Sequence, residues 1–315
     1  MPIKEFKLLF RDIGFYISGR SDVTSAAWKV DPWLYPLDWK YQLDREADYF
    51  FPKDAVGIPL REYSGSLGRQ YLISRIAAYA LAHWNRWRTE GHASNRSEFL
   101  RTVEWFPAAP GGRYEHQFPV AGMQSPWISC ISQGEAASVF CRAFVETGKA
   151  NYLSQAIAAI GPLMTPVEEG GLQSRLPDGR PFLEEYPKTA YRHVLNGCLY
   201  ATVGIYDVMR ATSGSNSSHT QLFHGLIDAI AENLSAWDTN GWSTYDYPFK
   251  TGVPRNANTM TYQVLQAVLL RYLGEATSDE RLLATAFRWE TSTSHLAKRL
   301  VALYRKVQYR ISSRW

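Results

Sequence analysis

The stretch LEEYPKTAYRHVLNGCLYATVGIYD, residues 183–207, sets two adjacent carboxylates and a tyrosine, Glu184, Glu185 and Tyr186, directly before Pro187. Proline disfavours helix in the residue preceding it, so Tyr186 is expected in extended or turn backbone. The apolar run that follows, with Asn196-Gly197 embedded in it, predicts a helix over residues 189–211. A helix mouth displays unsatisfied N–H groups and the positive end of a dipole, which suits an anionic ligand. Carboxylate, phenol and anion site within a few residues are the equipment for moving a proton on an acidic substrate.

Outward from this segment the pattern is helical from Leu67 onward. GRQYLISRIAAYALAHWNRW, residues 68–87, gathers Leu72, Ile73, Ile76, Ala77 and Ala80 on one face. Further helices are expected over 95–105, 132–147, 152–160, 221–236, 259–273, 279–289 and 294–309, separated by Gly, Pro and aromatic loops such as PAAPGGRYEHQFPV and STYDYPFKTGVPRN. This rhythm suits a ring of helical hairpins, though periodicity alone equally allows a bundle or a solenoid. Residues 1–66 read differently. They hold a strand-like run at 7–17 and a Trp/Pro/Asp-rich patch at 31–50, without strong helical periodicity. The expected division is therefore an irregular or β segment over 1–66 and a helical domain over 67–315.

Composition narrows the function classes. The chain of 315 residues is 45% hydrophobic, enough for one large domain or two modest ones. Its aromatic content is high, with 11 Trp, 19 Tyr and 14 Phe; core packing accounts for most such residues, and flat aromatic faces also suit a carbohydrate groove. A net charge of +4 favours an anionic polymer only if concentrated on one face. The most basic segment, LAKRLVALYRKVQYRISSRW, reads first as a solvated amphipathic helix and second as a polyanion contact. No nucleic-acid motif accompanies the charge, and nucleic acid is not expected as a partner. The three cysteines, Cys130, Cys141 and Cys198, fall in apolar sequence and read as buried reduced thiols. No apolar run approaches spanning length and no signal peptide is recognisable at the N-terminus, so the expectation is a cytoplasmic protein without a membrane partner.

Four ordered motifs resemble the C-terminal catalytic domain of the glucuronyl C5-epimerases. They are Glu184-Glu185-Tyr186-Pro187 with Val194-Leu195-Asn196-Gly197 and Gly204-Ile205-Tyr206-Asp207; Gln133-Gly134-Glu135-Ala136-Ala137-Ser138 with Arg142-Ala143-Phe144; the loop around Tyr245-Asp246; and Tyr262 running to Arg288-Trp289. The resemblance implies a mainly α fold, an incomplete α/α barrel (toroid) of helical hairpins with a small irregular or β N-terminal segment. It implies an isomerase that inverts carbon 5 of D-glucuronate to L-iduronate in a heparosan-like acidic polysaccharide. A homodimer follows by analogy.

The chemistry is demanding. The hydrogen on carbon 5 lies next to a carboxylate, so its removal leaves a dianionic enolate unless that carboxylate is neutralised. A base on one face, an acid on the other and donors around the carboxylate are required. No cofactor is required, in keeping with a sequence that lacks a Gly-rich dinucleotide fingerprint, and no His/Asp/Glu cluster has metal-ligand spacing. The resemblance assigns catalysis to Glu185, Tyr186, Tyr245 and Tyr262. Carboxylate and phenol form an asymmetric acid/base pair: Glu185 is expected to be the base for glucuronate and Tyr262 the opposing acid, with Tyr186 and Tyr245 orienting the sugar or stabilising the enolate.

Gln133, Arg192, Asn196 and Arg255 are the expected substrate contacts, with His193 and Lys250 as further candidates near a carboxylate. Each has a plainer alternative. Glu184 and Glu185 would serve as first-turn acids of the following helix, Asn196 as a helix-to-loop tie, and Gly134 as a point of close packing. The family follows its last tyrosine with histidines, whereas Tyr262 is followed by Gln263-Val264-Leu265-Gln266. Two other classes stay open: a polysaccharide lyase or uronyl hydrolase, which begins with the same proton or the same groove, and a non-catalytic glycan-binding module.

Overall fold

The computed structural model describes residues 3–45, 49–107, 109–187, 192–249 and 252–312. Helices dominate it: α1 (Ile3–Ser18), α2 (Lys40–Asp44), α3 (Ile73–Glu90), α4 (Ala93–Trp105), α5 (Cys130–Thr147), α6 (Ala150–Met164), α7 (Leu195–Ala211), α8 (Ser217–Asn233), α9 (Met260–Thr277), α10 (Glu280–Ser294) and α11 (Leu296–Ser312). The fold class is mainly α, and successive helices come as hairpins. Two-residue connections force the antiparallel pairing. Gly91 ends α3 in the left-handed conformation, Gly148 does the same for α5, and Ser278 for α9, each directly before the next helix begins.

The chain falls into two compact units, one of Met1–Thr24, Val194–Asn196 and Ile230–Trp315, the other of Ser25–His193 and Gly197–Ala229. In the second unit, α3 packs on α4 and on α5, and α5 packs on α6. Trp84, Phe99, Phe140 and Phe182 are among its largest fully buried apolar side chains. Two glycines set the spacing of α5 and α7. A Cβ on Gly134 would lie 2.5 Å from the Cα of Ala201, and one on Gly204 would lie 2.3 Å from the carbonyl oxygen of Gly134. Their backbones therefore touch, which no other residue type permits. Across the same helix pair, Arg142 Nη1 donates to Asp207 Oδ2 at 2.6 Å, both side chains fully buried. Arg142 also donates to the carbonyls of Trp33, Leu34 and Ser138.

In the first unit, α9 packs on α10, and α11 on α1 and α10. Tyr16, Trp242, Ala257, Met260 and Ala302 form one buried cluster there. Its polar edges are satisfied: Tyr16 Oη and Trp242 Nε1 both donate to the Asn258 carbonyl, at 2.7 and 2.9 Å.

Strands are short among the described residues. Arg61–Glu62 pairs with Arg69–Gln70, and Gln173–Arg175 pairs antiparallel with Pro181–Leu183 in the register Gln173↔Leu183. The described residues between 25 and 66 hold short strands, the five-residue α2 and connecting loops, whereas the run at 7–17 is helix α1 and not a strand. Phe6, Phe10, Ile13 and Ile17 recur every three or four residues, and that period prevails over the local β-like composition. The boundary at residue 66 also shifts, since residues up to Thr24 group with the C-terminal helices.

The helix expected over 189–211 starts at Leu195; residues 189–191 of that expectation lie outside the described residues. His193 adopts φ +44°, a left-handed value no α-helix accommodates, so α7 can begin only after it. Glu184 and Glu185 are consequently not first-turn acids of this helix, and Tyr186 does not stand at its mouth. Asn196 lies in the first turn of α7, not in mid-helix. The three cysteines are free and buried, and burial pushes the Cys198 thiol up to about 12. Among the described residues no helix is long and apolar enough to cross a membrane.

Candidate active site

In the second unit the hairpin of Gln173–Arg175 and Pro181–Leu183 delivers the two glutamates. Glu184 continues the pairing by donating its N–H to the Leu172 carbonyl at 2.9 Å and accepting from the Cys130 N–H at 3.2 Å. Its side chain is almost wholly buried, and its Oε1 accepts the Ser174 hydroxyl at 2.5 Å and lies 2.5 Å from His193 Nδ1. Backbone and side chain of Glu184 are thus both engaged, which fixes the direction in which the next residue leaves the strand. That residue is Glu185. It is 8% exposed and packs against the first turn of α7. A Cβ on Gly197 would lie 3.0 Å from the Glu185 Cβ and 3.3 Å from its Oε2, so glycine at 197 gives the carboxylate its room. The glycine of the Asn-Gly pair inside the apolar run is thereby explained.

Tyr186 is half-buried, its ring stacked on Trp127 with centroids 6.1 Å apart. Behind Trp127 lies His116, ring centroids 4.3 Å apart, whose Nε2 is 2.9 Å from Ser132 Oγ. Burial drives the His116 pKa down to about 4, so this imidazole is neutral at physiological pH.

The first unit brings the other two tyrosines together. Tyr245 and Tyr262 meet edge to face, ring centroids 5.8 Å apart. Tyr262 occupies the first turn of α9 and is 39% exposed; its N–H donates to the capping Thr259 Oγ1. Tyr245 lies on a turn of backbone paired through Thr244↔Ala257, donating to the Asn256 carbonyl at 2.9 Å and accepting from the Leu195 N–H at 3.2 Å.

That turn is clamped from α9. Gln263 Oε1 accepts both the Ser243 N–H at 2.7 Å and the Ser243 hydroxyl at 2.6 Å, while its Nε2 donates to the Trp289 carbonyl at 3.1 Å. Asn258 Nδ2 donates to Ser243 Oγ and to Gln266 Oε1, at 2.8 and 2.9 Å. The glutamines that depart from the family's histidines therefore hold the backbone two residues before Tyr245. Arg288 and Trp289 anchor the turn's entry, both donating to Asp238 Oδ2. Replacing Gln263 by Leu keeps the bulk but strands the Ser243 donors in a buried site. The expected result is a loss of about 1–3 kcal/mol in urea unfolding. A variant as stable as wild type would remove Gln263 from this role.

The expected substrate contacts fare differently. Gln133 is fully buried and its amide is engaged throughout: Oε1 accepts the Tyr114 N–H at 2.8 Å, and Nε2 donates to the Gly112 and Ala159 carbonyls at 2.7 Å. With its hydrogen bonds used on backbone, Gln133 ties the loop before α5 to α6 rather than facing a ligand. Asn196 is 2% exposed, and its Oδ1 has no hydrogen-bond partner, so the tie expected of it is not made through that atom. Arg192 is half-buried in the loop before α7. Arg255 is half-buried and donates through Nη1 to the Asp238 carbonyl at 3.0 Å. His193 is buried beside Glu184, and Lys250 lies outside the described residues.

One group escaped the sequence analysis. Glu135 is 2% exposed on α5, and burial raises its pKa well above the carboxylate range, which keeps the carboxyl neutral. The signal was available as a lone acid in the run SQGEAASVFC, where every neighbour is small, apolar or uncharged. Among the described residues no group of three or more His, Cys, Asp or Glu is arranged to hold a metal ion.

The profile of the D-glucuronyl C5-epimerase C-terminus matches residues 111–291, more than half of the chain. D-glucuronyl C5-epimerase of Caenorhabditis elegans is 29% identical over 174 residues, 52% of this chain and 28% of that protein. An uncharacterized protein of Methanocaldococcus jannaschii is 27% identical over 180 residues, 56% of each chain. The chain thus spans between about a quarter and about half the length of these relatives. Among solved structures, cellobiose 2-epimerase of Bacillus thermoamylovorans aligns with a TM-score of 0.49 at 12% identity, over 70% of this chain and 59% of that one. Unsaturated glucuronyl hydrolase of Streptococcus agalactiae aligns with a TM-score of 0.47 at 14% identity, over 73% and 58%. The matched span holds the buried Glu185, the tyrosine beside it, the Tyr245–Tyr262 pair and the scaffold that fixes each of them. The chain belongs to the family of the D-glucuronyl C5-epimerase C-terminus.

Proposed function

We propose that this protein is a carbohydrate isomerase that inverts carbon 5 of glucuronate residues in a heparosan-like acidic polysaccharide. The observation that carries this reading is the family match over residues 111–291, which includes Glu185, Tyr186, Tyr245 and Tyr262 together. Glu185 removes the carbon-5 hydrogen of glucuronate. Its near-complete burial supports this role, because a carboxylate held away from water is a stronger base than a solvated one. Tyr262 returns a proton from the opposite face; a phenol is protonated at neutral pH and donates without assistance. Tyr245, edge-on to Tyr262, steadies the acid, and Tyr186, seated on Trp127, presents the sugar to Glu185.

Each step conserves atoms: the C5–H bond breaks to the carboxylate, the enolate forms, and a new C5–H bond forms from the phenol; Glu185 then releases its proton to solvent and the phenolate takes one up. A lyase would instead expel the group on carbon 4 from the same enolate. Incubation with an unsulfated glucuronate polymer, followed by proton NMR and ultraviolet absorbance, separates the two outcomes. Iduronate signals without new ultraviolet absorbance are expected; an absorbing unsaturated uronate would replace this reading with elimination.

A further inference from the structure

A recess of about 470 Å³ opens in the first unit between the turn at Thr239 and Asn240, the segment Val253–Arg255, and Arg305 and Gln308 of α11. Arg255 is its most unusual wall. Only Nη1 of its guanidinium is engaged, on the Asp238 carbonyl. Nε and Nη2 are buried with no hydrogen-bond partner. Those two nitrogens form the side-on edge of the guanidinium, whose parallel N–H bonds match two oxygens of one carboxylate or sulfate. Leaving a charged donor pair buried and unmet is costly, and structures retain such pairs where a ligand completes them.

The surroundings carry the same sign. Arg305 lines the recess and donates to the Thr239 carbonyl at 2.8 Å. Lys298 holds the Asn240 carbonyl and Lys306 the Asn256 side chain. Two carboxylates act on Arg255 from nearby, Asp238 and Asp246, and of these Asp238 is already engaged by Arg288 and Trp289. Burial weighs most against the charge of Arg255 and Arg305 adds to it, while Asp238 and Asp246 offset part of that cost. The basic C-terminal helix, whose first reading is a solvated amphipathic face, thus turns Arg305 towards a cavity.

We propose that this recess is a subsite for a carboxylate or sulfate group of the polysaccharide, gripped side-on by Arg255 and flanked by Arg305. The assignment to a polysaccharide rests on the function proposed above; the assignment to an oxyanion does not. Because Nε and Nη2 lie beneath the surface, the group enters by displacing contacts at the rim, the exposed Val253 among them. The Arg255 segment pairs with the turn carrying Tyr245, so an acidic group held here fixes the polymer's register against that tyrosine.

Nitrogen-15 NMR of the arginine Nε–H groups tests the proposal, with inorganic sulfate, an unsulfated glucuronate oligosaccharide and its N-sulfated counterpart as probes. Assigned Arg255 Nε–H should shift with sulfate and with at least one oligosaccharide; a response to the unsulfated chain identifies the uronate carboxylate as sufficient, and a response to the sulfated chain alone identifies the sulfate. Arg255→Lys keeps the charge but loses the fork, and Arg305→Gln removes the flanking cation. Each should raise the oligosaccharide dissociation constant by about tenfold. An Arg255 signal unmoved by every probe overturns the site. A signal that moves with sulfate but not with an oligosaccharide the protein epimerises overturns its polysaccharide assignment. If sulfate moves the signal and no uronate chain is epimerised, the oxyanion site stands and the proposed function falls.

Discussion

Glu185→Gln and Tyr262→Phe are each expected to lower carbon-5 inversion by about 10²–10⁴-fold, the size of effect that loss of a general acid or base produces. Both changes preserve shape. Glutamine fills the room that Gly197 leaves for the Glu185 side chain, and phenylalanine keeps the edge-to-face contact with Tyr245. Folding and polymer binding should therefore stay close to wild type, and the loss should fall on kcat. The two variants differ in what survives. With one partner gone, the other can still remove and return the hydrogen from its own side, giving exchange without inversion. Residual exchange should be confined to glucuronate in Tyr262→Phe and to iduronate in Glu185→Gln. A variant that inverts carbon 5 at the wild-type rate removes its residue from the mechanism.

Breaking the ion pair between α5 and α7 should produce the largest stability effect. Arg142 and Asp207 are fully buried, and Arg142 also serves three backbone carbonyls. Removing one partner leaves a charge without its counter-ion in a fully buried site. Asp207→Leu is expected to cost about 3–5 kcal/mol in urea unfolding, a large share of the roughly 5–15 kcal/mol that holds a domain folded. Arg142→Met with Asp207→Leu removes both charges and should recover much of that loss. A single variant within about 1 kcal/mol of wild type would show that the pair contributes little, contrary to its burial.

Much of the fold was legible because it depends on periodicity. The helix expected over 95–105 is α4, and those expected over 132–147, 259–273 and 279–289 correspond to α5, α9 and α10 with ends displaced by up to five residues. Their ends were hidden where a cap or a terminal turn carries no apolar signal. The start of α7 was hidden for a different reason: it is set by the backbone of His193, and no side-chain pattern reports a left-handed φ at histidine. Helix α1 was misread as a strand because aromatic and branched residues over 7–17 have β preference, while their spacing is helical.

The candidate site was legible in kind, less so in detail. The motifs that identify the family prove to be largely scaffold: Gly134 against Gly204, Arg142 against Asp207, Arg288 and Trp289 on Asp238. Gln133 belongs to a motif of the family and was expected to contact substrate, yet its amide is engaged on three backbone groups. The clamp of Gln263 on Ser243 links residues twenty apart and has no local signature. Arg255 was singled out by charge alone; its unmet side-on edge emerges only from the packing around it.

Solvent deuterium at carbon 5 tests the central claim most directly. The protein is incubated in deuterium oxide with an unsulfated glucuronate polymer, and the sugar is analysed by NMR and mass spectrometry. Deuterium is predicted at carbon 5 of both glucuronate and newly formed iduronate, with the label lost in neither backbone cleavage nor elimination. A polymer that is bound yet carries no deuterium at carbon 5 would contradict the account and leave a glycan-binding protein in its place.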